Sequence, residues 1–430
     1  MTRLRSIPLV PLPSSRHLLA PGRLPSLVYA LFFVSGVAQS AIVPLLPRLA
    51  SRFGLSPSEV AGLLALPGLA TLAVSVPAGM AADRFGARRV TLASGALLCL
   101  SCLGQATASL PLLLTGRVVF GVSFGIVWTT GMAWLSEVGS VTRGGALGPS
   151  VTWSSVGLMI GPAVGGILAQ WTGLGVPFEL IGGAAALVTV ALALGSASSR
   201  IPRRRTPDAL APRPTGLAPR PDGPAPHPSL GSLTGLLRRP GVGAAAGGLI
   251  VSGGVSGASQ LLITIGLHQH GLSSGRIGLA FSAAAVGYIA VSAAVVRLGE
   301  RVRTLRFNAL ATLALALALA PALTGGGAPA LVIALLATAL ARAAISTVAY
   351  SLASEPASDR AGGEGLVFGM LNGAWAAAMV LTPLLAGLVD QQEGARSGYL
   401  AVIVPSCAIA GWLIARSRPV RTHPAALRAG

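Results

Sequence analysis

Twelve apolar runs, each about 20 residues and so about as long as a helix needs to cross a bilayer, recur along this 430-residue chain. They begin near residues 27, 59, 90, 110, 147, 176, 241, 275, 305, 329, 364 and 397. Hydrocarbon offers the backbone no hydrogen-bond partner, so such runs must satisfy their own N–H and C=O groups as helices. The expected fold class is an all-α membrane protein. A mean hydropathy of +0.74 and a charged fraction of only 10% exclude an ordinary soluble domain.

The formal charge of +19 invites a nucleic-acid reading, but its placement points elsewhere. All 31 basic residues are Arg. With twelve spans and an inner N-terminus, only Arg48, Arg52, Arg276 and Arg396 fall outside, while Arg117 and Arg342 fall within spans. The rest, including Arg84, Arg88, Arg89, the Arg203–Arg205 run and Arg416, lie on the cytoplasmic side. That asymmetry is the positive-inside rule. It predicts a multi-pass protein of the plasma (inner) membrane with both termini cytoplasmic. No basic-aromatic module accompanies the charge, so no nucleic-acid partner is expected; the bilayer is the partner that the charge suits.

Hydropathy collapses between residues 198 and 238, where RIPRRRTPDALAPRPTGLAPRPDGPAPHPS is rich in Pro and Arg. Such composition favours extended, solvated chain. The expected organisation is a cytoplasmic tail over 1–26, a six-helix bundle over 27–197, a cytoplasmic linker over 198–238, a second six-helix bundle over 239–417 and a tail over 418–430. An internal echo supports two repeats: Gly148, Pro162 and Gly166 align at one offset with Gly369, Pro383 and Gly387. Spans five and eleven are then counterparts, at a place where two halves must move past one another.

Several motifs sit on this frame. In GALGPSVTWSSVGLMIGPAVGGILAQ, Gly157, Gly161 and Gly165 share one helical face, Pro162 removes a backbone donor, and Gly148 and Gly166 complete the pattern G-x8-G-x3-G-P-x2-G-G. In GMAADRFGARR, Asp83 at a helix end suits pairing with Arg or with another helix's N-terminus, and Gly86 permits a tight turn. Arg117 lies inside span four, followed by Gly121 and Gly125. A charge at that depth is costly and usually faces a cavity or a partner, although its long stem also permits snorkelling to the surface.

These residues resemble signatures of the major facilitator superfamily, in particular its drug:proton antiporters. The span-five pattern resembles the antiporter signature, complete at Gly148, Gly157, Gly161, Pro162, Gly165 and Gly166. The loop between spans two and three resembles G-x-x-x-D-R-x-G-x-R-R at Gly79, Asp83, Arg84, Gly86, Arg88 and Arg89; Arg117 with its two glycines resembles R-x3-G-x3-G; Pro44 and Pro47 match a P-x-x-P. The resemblance implies a fold of two six-helix bundles around a central cavity. It also implies a loop that latches the halves and releases them in transport, and an Arg117 that tunes proton coupling. The implied function is export of a small amphipathic, drug-like compound by proton antiport through alternating access. A metabolite facilitator or symporter of the same superfamily is the alternative. The equivalent second-half loop is degraded, with Glu300 and Arg301 standing in for the Asp–Arg pair.

The resemblance lacks one element. A proton carrier needs a titrating carboxylate, and none of the 12 acids falls at a span's midplane. Span one carries Gln39 and Ser40 instead. Glu179, near the outer end of span six, is the candidate coupling acid beside Arg117, followed by Glu59 and Asp390; each also suits an interfacial position. Trp128, Trp153 and Trp375, with Met132, Met159, Met370 and Met379 near in sequence, suit either an adaptable apolar cavity or core packing. Arg342 in span ten is a second buried charge without a Gly pattern. His268 and His270 read as a polar loop, and Cys99, Cys102 and Cys407 as apolar fillers. With no catalytic triad, metal cluster or phosphate loop in sequence, the chain is expected to be a monomeric non-enzyme without cofactor, its partners being a small-molecule substrate, protons and lipid.

Overall fold

The structure, a computed structural model, describes residues 23–138, 143–198, 235, 237–358 and 363–417. The expected C-terminal tail, nearly all of the 198–238 linker with its Arg203–Arg205 run, and residues 1–22 of the expected N-terminal tail lie outside the described residues, while residues 23–26 of that tail belong to the first helix. Among the described residues twelve helices are long and apolar enough to cross a membrane. In chain order they are α1 (Leu24–Phe53), α2 (Pro57–Phe85), α3 (Ala87–Ala106), α4 (Leu110–Leu135), α5 (Pro149–Thr172), α6 (Val176–Ser196), α7 (Pro240–Gln269), α8 (Ser274–Leu298), α9 (Leu305–Leu323), α10 (Gly327–Ala353), α11 (Gly369–Glu393) and α12 (Ala395–Arg416). The starts read from hydropathy lie within a few residues of these, because a 20-residue apolar run leaves the chain little freedom.

Two helices form the interior. The apolar windows of α1 and α7 are 72% and 78% buried, against 11–50% for the other ten, whose free faces carry residues such as Leu187, Val190 and Leu385. In lipid those exposed side chains are already in an apolar medium, so close packing of small residues holds the bundle together.

Each central helix has one intimate partner. Gly157, Gly161 and Gly165 of α5 face α1: a Cβ on them would fall on the Phe33 carbonyl, the Ser40 hydroxyl and the Ala41 carbonyl respectively. The second half repeats the approach with the glycines on the other partner, since Gly253 and Gly257 of α7 face the Trp375 and Met379 carbonyls of α11. The three-glycine stripe of α5 is therefore internal to the first half and does not lie between halves, where the sequence echo would put it. Small residues recur wherever two helices approach closely, whether or not that contact moves.

The halves meet through other residues. A Cβ on Gly166 would strike the Ser274 carbonyl at the start of α8, and one on Gly387 would lie 2.9 Å from the Pro57 carbonyl at the start of α2. These two glycines are aligned in the sequence echo, and they take equivalent places in the two cross-half contacts, α5 on α8 and α2 on α11. The turns before α2 and α8 are also alike. Gly54-Leu55-Ser56 and Gly271-Leu272-Ser273 each place a positive-φ Gly two residues before a Ser that caps the helix, Ser56 on the Glu59 N–H and Ser273 on the Arg276 N–H. Caps of this kind contribute ~1 kcal/mol each.

Candidate functional site

Around these contacts the two halves close at one end only. There Ser58 donates to Gln391 Oε1 at 2.8 Å and the Ala163 N–H donates to Ser282 Oγ at 3.2 Å. The second bond has a local cause. Pro162 interrupts the hydrogen-bond ladder of α5, and the donor next to it is offered across to α8, where Gly278 brings its backbone onto the Pro162 carbonyl. At the other end of the same helices the halves are splayed. Val76, Met80 and Phe85 of α2 are exposed, and no described atom lies within reach of a Cβ on Gly369 or Gly373 of α11.

Immediately inside the closed end lies a cavity of about 340 Å³, lined from both halves by α1, α5, α7, α8, α10 and α11. Gln39, Ser40, Leu158 and Pro162 come from the first half, and Ser256, Gln260, Phe281, Arg342, Trp375 and Met379 are among those from the second. A single wider turn of π-helical spacing at Ser259–Ile263 interrupts α7. Such turns shift the helical register of the residues beyond them and recur at functional sites. Here Ser259 and Gln260, the first residues of that turn, both reach the cavity.

Arg342 is the only charged side chain among the described lining residues. Its Nη1 donates to Ser256 Oγ at 3.0 Å, and its guanidinium lies 4.7 Å from the centre of the Tyr288 ring. Gln39 Oε1 and Ser259 Oγ are buried without a hydrogen-bond partner among the described residues.

The comparison with known proteins agrees with this geometry. The family profile described as Major Facilitator Superfamily matches residues 28–275, more than half of the chain. This chain belongs to the major facilitator superfamily. Among relatives of the superfamily, it is 36% identical over 140 residues to an uncharacterised MFS-type transporter of Schizosaccharomyces pombe, covering 31% of each chain. It is 32% identical over 164 residues to a multi-drug resistance efflux pump PmrA homolog of Lactococcus lactis, covering 37% of this chain and 40% of that one. The chain thus spans about a third of the length of the curated relatives it matches first. Among solved structures, a bacterial homolog of the human lysosomal transporter Spinster, inward-facing and occupied, superposes with a TM-score of 0.69 at 15% identity over 92% of this chain and 96% of that one. The nucleoside transporter NupG gives 0.68 at 10% identity over 92% and 100%. At such identities these likenesses show the superfamily's fold alone.

The sequence motifs fare unequally in this frame. In the loop motif Gly86 has φ +87° and ends α2 with its N–H on the Ala82 carbonyl, so the tight turn is present. Asp83 is exposed at the splayed end, and it makes no ion pair among the described residues. Arg84 lies over the Phe85 ring, and Arg88 keeps a buried Nε without a partner. Gly79 faces only Thr129 of its own half.

Arg117 is 2% exposed, so it does not snorkel. Its Nε approaches the Leu63 carbonyl at 3.4 Å and its Nη1 approaches Gln105 Oε1 at 3.5 Å, with the guanidinium 5.5 Å from the Phe120 ring centre. It lies outside the cavity lining. Gly121 and Gly125 let α4 press on Pro67, Thr71 and Val74 of α2. Glu179 is exposed in the first turn of α6 and is not paired with Arg117; a carboxylate at a helix N-terminus already has the favourable end of the helix dipole and water. Glu59 accepts the Ser56 N–H at 2.8 Å in the capping box of α2.

Of the expected cavity residues, Gln39 and Trp375 line it. Trp128 does not: it packs edge to face on Phe32 with centroids 5.0 Å apart. Trp153 is 47% exposed and packs on Phe33 instead. Of the described methionines only Met379 lines the cavity. Gly148 lies in the described helix Arg143–Thr172, ahead of α5's apolar span. Sequence reasoning passed over Ser155, Ser256, Ser259, Gln260, Tyr288 and Thr338, since hydroxyls and amides within apolar runs carry no signal of which way they face. Arg342 did carry one, as a charge in an apolar run, but its partner Ser256 lies 86 positions away.

Proposed function

We propose that this chain exports small amphipathic molecules from the cell by alternating access, the two bundles rocking about the cavity. The observation that carries this reading is the cavity itself, built from six helices of both halves and closed at one end by contacts that small residues and the serines Ser58 and Ser282 make across the halves. If the Arg-poor ends face outward, the splayed end opens to the cytoplasm, ready to load. The span-five signature and the multidrug efflux pumps among the relatives support export over uptake. In this reading the latch at Asp83 forms only when the splayed end closes, which fits its present lack of an ion pair among the described residues.

Proton antiport is the proposed drive, and a facilitator is the second reading. The specific observation favouring the second is that no carboxylate stands among the described lining residues. One experiment separates them. Purified protein in vesicles, loaded with a panel of dyes and antibiotics, should release them uphill when a pH gradient is imposed. Release only down the solute's own gradient, unaffected by pH, selects the facilitator; no release of any compound in either orientation rejects export.

A further inference from the structure

Resting on that export reading, we infer that the cavity takes an organic anion: a carboxylate or similar group seated on Arg342, attached to an aromatic or apolar body. Arg342 is part-buried in the wall, and no carboxylate among the described lining residues offsets its charge. A cation held at such depth without a counter-charge is costly, and a ligand anion removes that cost. The guanidinium has five N–H donors in a planar fork. One is engaged by Ser256 Oγ, which fixes the side chain while leaving donors of the fork for a bidentate partner.

The guanidinium of Arg342 lies 4.7 Å from the centre of the Tyr288 ring, a cation–π contact that helps to hold it in place. Polar groups continue from it around the wall. Ser259 Oγ and Gln39 Oε1 are buried and unpartnered among the described residues; Gln39 Oε1 suits a hydroxyl or amine elsewhere on the ligand. Phe281, Trp375, Met379 and Leu158 supply the apolar surface for the body. A cationic drug meets the opposite: one positive charge and no acid to receive its own. An organic anion also suits the facilitator reading of a cavity without a carboxylate, because a negative-inside potential drives an anion outward.

The test uses purified full-length protein and three probes of one shape: naphthoate, naphthamide and naphthylmethylammonium. Binding is read by calorimetry and by the shift in unfolding temperature. Naphthoate should bind at least about tenfold more tightly than either other probe, the scale of one charge-assisted hydrogen bond. Arg342→Gln should abolish the preference, bringing naphthoate to the affinity that the same variant shows for the amide. Equal affinity for all three, preference for the ammonium, or a carboxylate preference that survives Arg342→Gln overturns the proposal. So does displacement of naphthoate by equal concentrations of chloride or sulfate, which would mark a site for inorganic anions. Should the variant fail to fold, the wild-type ranking of the three probes decides alone. Efflux of cationic dyes without naphthoate binding would sink the anion assignment and leave export standing, whereas naphthoate binding without efflux of any compound would do the reverse.

Discussion

The backbone N–H of Ala163 donates to Ser282 Oγ across the line between the two halves. The bond joins α5 beside Pro162 to α8, and it is one of the contacts that close the cavity at that end. Opening the closed end requires breaking it, together with the approach of Gly278 to the Pro162 carbonyl. A side chain added at Gly278 acts on that closure alone. Gly278→Leu should leave membrane abundance near wild type, because α8 remains whole, and should disfavour the closed end by ~1–3 kcal/mol, the usual cost of overpacking. Labelling of a cysteine at Ser274, blocked in wild type, should then appear. A Gly278→Leu variant that closes and transports normally would show that this end does not bind as tightly as the structure indicates.

Gly157→Leu should behave differently. Its stripe faces α1 within one half, so the added side chain disrupts folding before it affects motion. Abundance and melting temperature should both fall, in contrast to Gly278→Leu. Equal abundance of the two variants would contradict this division.

Asp83→Asn should shift the balance between conformers without lowering abundance. Asp83 has no ion pair among the described residues to lose at the splayed end, so the substitution costs the state with that end closed by ~1–3 kcal/mol if a charge-assisted bond forms there. A cysteine at Met80 should label faster in the variant than in wild type during turnover. Unchanged labelling and transport would reduce the motif to a turn with topogenic charge.

Trp375→Ala and Trp128→Ala separate cavity from core. The first removes cavity wall, so ligand affinity should fall with little change in melting temperature. The second leaves a hole beside Phe32 and should cost ~3–5 kcal/mol of stability. The reverse pattern, read by binding and thermal unfolding, would exchange their roles.

Glu179→Gln should be silent, within ~0.5 kcal/mol in stability, as exposed substitutions usually are. Arg117→Ala should not be, since it empties a buried site and strands Gln105. If Glu179→Gln abolishes efflux in intact cells at normal abundance, an exposed acid takes part in coupling after all.

The spans were legible because hydrophobic length is a local property, and Gly86 because a positive φ needs no distant partner. Arg117 and Arg342 were visible as charges where charge is costly. Their surroundings were not: Ser256 reaches Arg342, and Gln105 and Leu63 reach Arg117, only through three-dimensional packing. The tryptophans failed for a related reason, since an aromatic inside a span fits a wall and a core equally well by spacing. The repeated Gly-Leu-Ser turns before α2 and α8 were present in the sequence as an internal match, but three residues are too few to distinguish from chance without the caps they form.

Most of the glycines that bring α1 to α5 sit on α5, with Gly36 of α1 against the Ser154 carbonyl, while those that bring α7 to α11 sit on α7. What the two halves share is therefore a narrow gap, and either wall can be thinned to obtain it. Tolerance to substitution belongs to the helix pair as a unit. Compensating changes should accordingly be sought on the opposite helix, and at Gly161 shrinking Ser40 removes only one of the obstacles, because the Val37 carbonyl would still lie 2.7 Å from an added Cβ.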